Sequence, residues 1–155
     1  MGAVLKKRLK QSRFESTEQE AVLNILVCSN HIKSRIEAVC LKYGITQAQF
    51  NVLRILNGKY PEGYPRGDII SRMVEPAPDV TRLIDRLIKQ GLVERFMSEQ
   101  DRRLSLARIT KKGRNELKRI KPKIDPLIKI VSDKLNKTER KQLSVLLEKI
   151  YSDLF

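Results

Sequence analysis

Asp79-Val80-Thr81-Arg82-Leu83-Ile84-Asp85-Arg86-Leu87-Ile88-Lys89-Gln90-Gly91-Leu92-Val93-Glu94-Arg95-Phe96 changes its hydrophobic period partway along. Through Gln90 the apolar residues Val80, Leu83, Ile84, Leu87 and Ile88 fall at helical spacing, and Gly91 supplies the stop. From Leu92 to Phe96 apolar and polar residues alternate as in a strand, and Leu104 to Ile109 alternates again beyond the polar stretch 97–103. A helix followed at once by a β-hairpin is predicted. Just upstream, Asp68 to Val74 reads as a short helix with Ile69, Ile70 and Met73 inward. Glu75-Pro76-Ala77-Pro78 interrupts it, and Pro78 suits the first position of the next helix, where no N–H is owed. Two short helices, the second leaving Thr81, Arg82, Asp85, Arg86 and Lys89 outside, predict a helix-turn-helix whose second helix enters a major groove. The hairpin is then a wing, with Arg102 and Arg103 at a tip suited to a minor groove. Asp101 reads as a local partner that holds an arginine in position, a role compatible with that of a turn aspartate.

Working outward, Thr46-x-x-Gln49 forms a capping box for a helix of about 11 residues, with Phe50, Leu53 and Leu56 buried and Gly58 as its stop. The Pro- and Gly-rich stretch 59–65 reads as a loop. Before Thr46, a long helix starts at a Thr17-x-x-Glu20 capping box and runs to about Tyr43. Its Val22, Ile25, Ser29, Ile32, Ile36, Val39 and Tyr43 form a heptad-like seam roughly 40 Å long, more than one small core covers, so part should meet another subunit. Beyond the wing, Thr110 caps a helix from Lys111 to about Lys121, which Pro122 and Pro126 interrupt or kink. A further helix from about Ile128 to Asn136 follows, and Thr138-Glu139-Arg140-Lys141 opens the last one, with Leu143, Leu146, Leu147, Ile150 and Leu154 on one stripe. These leucines should pack against the first helix and its dimer mate.

The chain has 155 residues, a size for one domain or one domain plus a docking element. Its 32 basic and 18 acidic residues give a formal charge of +14, which calls for an anionic partner. Hydrophobic residues at 41% suffice for a core and exclude a disordered basic tail protein. Half of the charge, +7, lies in residues 111–155, outside the DNA-reading motif, where it serves solubility or long-range steering. Residues 1–13 carry five positive charges and no negative one; a solvated tail and an arm on the DNA backbone are the two readings. The longest nearly unbroken apolar stretch, Ala21 to Cys28, falls far short of the roughly 18 residues of a membrane span. No secretion signal is encoded, so a cytoplasmic protein with no membrane partner is expected. Cys28 and Cys40 lie on different sides of a helix and cannot pair, and with His31 as the one histidine no Cys/His zinc site assembles. Neither a nucleophile with its base nor a Gly-rich phosphate loop is present, so catalytic residues, metal and cofactor are all expected to be none.

The run from Asp79 to Arg95, followed by Asp101-Arg102-Arg103 and by Ile109-Thr110-Lys111-Lys112-Gly113, resembles the MarR family of bacterial winged-helix transcription regulators. The resemblance extends over nearly the whole chain. It implies a mainly α fold with a small β-hairpin wing: a winged helix-turn-helix unit at 45–110, and a helical dimerisation region built from 17–44 and 111–155. It also implies a homodimer on double-stranded DNA, and often a small aromatic or phenolic effector. Thr81 and Arg82 fall at positions that meet DNA from the recognition helix, with Arg86 one turn along. Arg103 falls at the minor-groove position of the wing tip, Arg102 at a backbone or second minor-groove position, and Asp101 at the wing-stabilising acid. Val22, Ile25, Ile32, Leu143, Leu146, Leu147 and Ile150 are the expected dimerisation residues. One departure stands out: Val74-Glu75-Pro76-Ala77-Pro78 replaces a Gly-containing turn followed by Ser or Thr, which alters the angle of groove entry.

The function expected is that of a repressor binding a near-palindromic operator and released by an effector. A winged-helix module for RNA or protein is one alternative, and a thiol-based redox sensor another. Cys28 invites comparison with organic-peroxide sensors, but no lysine or arginine follows it until Lys33 and their aromatic partners are missing. Buried, inert thiols are expected for both Cys28 and Cys40.

Overall fold

The computed structural model describes residues 2–75 and 79–154. The expected break at Pro76-Ala77-Pro78, with Pro78 opening a helix, lies outside them. The described elements are α1 (Ala3–Leu9), α2 (Thr17–Leu41), α3 (Gln47–Asn57), β1 (Tyr64–Pro65), α4 (Arg66–Ser71), α5 (Val80–Lys89), β2 (Val93–Met97), β3 (Ser105–Ile109), α6 (Lys111–Lys134) and α7 (Lys137–Tyr151), with a final 3₁₀ turn at Ser152–Leu154.

Local chemistry accounts for most boundaries. Thr46 and Gln49 make both arms of the capping box on α3. The helix α2 is capped instead by Ser16, whose hydroxyl accepts from the Gln19 N–H, and Thr17 is its first helical residue. The reason is backbone conformation: Ser16 is extended (φ −153°, ψ 168°), as a residue outside the helix must be for its oxygen to reach back. The helix ends at Leu41, and Gly44 then turns the chain at φ 72°.

One core joins α3, α4, α5, the sheet and the inner halves of α2 and α6. Cys40, Val52, Leu53, Leu56, Ile69, Leu87, Ile109 and Ile120 are all fully buried in it. The sheet has three antiparallel strands in the order β1-β3-β2, with Tyr64 opposite Ala107 and Arg95 opposite Ala107 on the other side. The stretch expected to be loop thus donates a short third strand. Gly63, at φ 85°, permits it, because a Cβ there would stand 2.5 Å from the Ala107 carbonyl oxygen.

Four further expectations are corrected. Residues Ala3–Leu9 form a helix rather than a bare tail, with Leu5 buried and the Lys6 ammonium 5.9 Å from the centre of the Phe14 ring. In α4, Ile70 is exposed while Ile69 is buried. Lys111–Lys134 is one unbroken helix through Pro122 and Pro126. The prolines are four residues apart on its exposed side, so the carbonyls they leave unpaired face water while Ile120 and Ile124 are buried. Cys28 is exposed rather than buried, because the N-terminal half of α2 projects past the core.

Candidate nucleic-acid interface

The helix α5 is gripped from one side. Val80, Ile84 and Leu87 are buried against the core, which fixes the opposite side toward solvent. Asp79 caps its N-terminus, one carboxylate oxygen accepting from the Arg82 N–H at 3.0 Å. The other oxygen pairs with Nε of Arg82 at 2.9 Å, although the Arg82 side chain is 80% exposed. Arg86 is exposed one turn along and lines a shallow groove with Lys89, Gly44 and Thr46.

Two arginines from other elements flank this outer face, and the sequence reading missed both. Arg66, the first residue of α4, donates from Nη1 to the Thr81 hydroxyl at 3.2 Å. Arg95, on β2, pairs with Asp85 at 2.9 Å. Nothing linear connects 66 with 81. The second pairing had a signal, since β2 leaves α5 through the tight turn at Gly91 (φ 71°) and returns its outward residues along the helix.

The wing turn is built from backbone and short side chains. The Ser98 N–H donates to the Leu104 carbonyl and the Leu104 N–H to the Asp101 carbonyl, both at 2.9 Å. The buried Ser98 hydroxyl accepts from the N–H groups of Gln100 and Asp101. The Asp101 carboxylate accepts from the Arg103 backbone N–H at 2.9 Å. It therefore orders the backbone that carries Arg103, as a turn aspartate does, and makes no ion pair with a guanidinium among the described residues. The Arg102 and Arg103 side chains are exposed and make no ion pair among the described residues. Behind the tip, Arg108 pairs with Glu94 and stacks 4.5 Å from the centre of the Phe96 ring, stiffening the hairpin.

The wing is locked to α6 through Thr110. Its hydroxyl accepts from the Gly113 N–H at 3.0 Å and donates to the Gly91 carbonyl at 2.8 Å, while its own N–H reaches the Leu92 carbonyl. A Cβ on Gly113 would stand 2.1 Å from the Leu92 oxygen, so the Thr-x-x-Gly spacing serves helix capping and close packing together.

Between α2, α3 and the end of α4 lies a cleft of about 590 Å³. Ile32, Ile36, Phe50 and Met73 give it apolar walls, and Lys33 of α2 pairs with Glu75 at 2.8 Å across it. In the core, burial, with the Glu37 charge adding to it, pushes the Cys40 thiol up to about 11, so Cys40 is no thiolate at neutral pH. No group of three or more metal-ligating side chains occurs among the described residues.

The expected dimerisation residues divide. Val22, Leu143, Leu146 and Ile150 are exposed, Ile25 and Leu147 are half-buried, and Ile32 faces the cleft. No described helix is long and apolar enough to cross a membrane.

A helix-turn-helix backed by a three-stranded wing sheet defines the winged-helix class of regulators. Residues 45–105 match the MarR family. The chain is 24% identical to the transcriptional repressor MprA of Escherichia coli over 151 residues, 95% of this chain and 85% of MprA. It is 32% identical to the uncharacterized HTH-type transcriptional regulator YkoM of Bacillus subtilis over 108 residues, 70% of this chain and 69% of YkoM. The S. aureus MepR–DNA complex superposes with a TM-score of 0.75 at 22% identity, over 83% of this chain and 94% of MepR. The chain belongs to the MarR family, and so is a transcription regulator rather than an enzyme.

Proposed function

We propose that the protein is a repressor that binds a near-palindromic operator in the cytoplasm as a homodimer, with α5 in the major groove and the wing in the minor groove. The observation that carries this reading is α5 itself: its apolar side is fixed in the core, and Thr81, Arg82 and Arg86 stand on the other sides beside a hairpin whose two exposed tip arginines make no ion pair among the described residues. Residues 45–110 form the DNA-binding unit, and 17–44 with 111–155 the dimerisation region. The apolar residues left open on α2 and α7 support that division. MprA is a repressor, and MepR has been solved on DNA. In a two-fold dimer the half-sites are about 10 base pairs apart, on successive major grooves.

The cleft supports release by an effector. Its volume suits a small apolar or aromatic molecule, and Lys33–Glu75 ties the dimerisation helix to the helix-turn-helix across it, so a ligand that parts them would shift one unit against the other. Footprinting across the chain's own promoter tests the core of this proposal. A protected near-palindrome is expected; protection without two-fold symmetry, or equal competition by RNA, would overturn it.

A further inference from the structure

Asp79 holds both ends of one residue. One of its oxygens takes the Arg82 backbone N–H, the other takes the Arg82 Nε, and the pair lies on the surface that faces DNA in the reading above. We propose that Asp79 is a specificity-determining restraint on Arg82, a carboxylate that withholds the guanidinium from DNA unless a matched base edge is on offer. This inference rests on Arg82 reading bases.

The argument is competitive. A random duplex offers Arg82 a phosphate, and taking it means parting from Asp79 and leaving that carboxylate beside the negatively charged backbone. A matched site offers a guanine edge to the two terminal nitrogens of Arg82, a bidentate contact that leaves Nε on Asp79, so the ion pair is kept there. Asp79 thereby penalises random DNA more than the operator, which is specificity gained by an unfavourable contact with the wrong partner. Its cap on α5 remains in place throughout, because the cap uses the other oxygen. The second acid of the outer face, Asp85, is tied to Arg95 from another strand and does not touch Arg82.

Asp79→Asn separates the two roles, since Asn caps a helix as well as Asp but carries no charge. The probes are a duplex selected by the wild-type protein from a random-sequence pool and an unselected duplex of equal length, at one salt concentration. Asp79→Asn should bind the unselected duplex about two- to five-fold more tightly, the span of an exposed ion pair, and the selected one little changed. The ratio of the two affinities falls accordingly. With Arg82→Ala in the background, Asp79→Asn should leave the ratio unaltered. Equal tightening on both duplexes, or the same shift without Arg82, would make Asp79 only a nearby negative charge. A wild-type ratio in Arg82→Ala alone would instead remove Arg82 from base readout, and the restraint with it. Melting of the single and double variants at the wild-type temperature verifies that the cap is intact.

Discussion

The helices α5 and α7 carry similar leucine-rich stripes and meet opposite fates. Val80, Ile84 and Leu87 of α5 are buried, Ile84 to 2% exposure, whereas no residue of α7 is buried and Leu146 and Ile150 stay 58% and 67% exposed. The difference lies in what the chain brings near each. The helix α5 sits between α3 and the sheet, and the turn at Gly91 folds β2 back beside it. The helix α7 follows the 24 residues of α6, which by helical rise carry the chain about 36 Å along the helix. Periodicity states that a face will be covered; it does not state whether by the same chain.

Placing an acid on each stripe breaks this comparison most sharply. Ile84→Asp buries an unpaired carboxylate in the core at a cost of several kcal/mol, enough to unfold the winged unit. Circular dichroism should show the loss of helix. Leu146→Asp with Leu147→Asp should leave the winged unit folded and convert the dimer to monomer, read by light scattering at micromolar concentration, with DNA affinity falling alongside. A monomeric wild-type protein under those conditions would reject the division between the two helices.

A subtler change probes the seam where α6 meets the wing. Gly113→Ala puts a Cβ within 2.1 Å of the Leu92 carbonyl oxygen, and the overpacking should cost roughly 1–3 kcal/mol, seen as a lower melting temperature. Dimerisation should persist, because the stripes on α2 and α7 are untouched.

Much of the winged unit was legible because its signals are local and redundant. The α5 stripe, the Gly91 stop, the strand alternation and the caps at Thr46 and Thr110 each name an element on their own. What was not legible depends on partners distant in sequence or on which face a residue takes. The strand β1 has two residues, too few for any period, and exists only because β3 lies beside it. Pro122 and Pro126 read as breaks, yet fall on a wet face where missing hydrogen bonds are tolerated. Ser16 and Thr17 are both cap-forming types, and the extended backbone at Ser16 places the cap there. At the candidate site, Arg82 and the wing arginines were nameable from the linear pattern, whereas Arg66 enters only through its contact with Thr81.

The smallest expected effect belongs to the wing tip, the least buried part of the comparison. If Arg103 enters a minor groove, Arg103→Ala should weaken binding to selected and unselected duplexes alike and flatten the dependence of log affinity on log salt by about one phosphate contact. The fold should not change, because the side chain is exposed and makes no ion pair among the described residues. Asp101→Ala acts one step removed: it deletes the acceptor for the Arg103 backbone N–H while keeping the arginine. It should reproduce part of the affinity loss with the salt slope nearly wild-type, since the charge remains and only its placement is loosened. Equal salt slopes for Arg103→Ala and wild type, on a folded dimer, would reduce the wing to a structural hairpin.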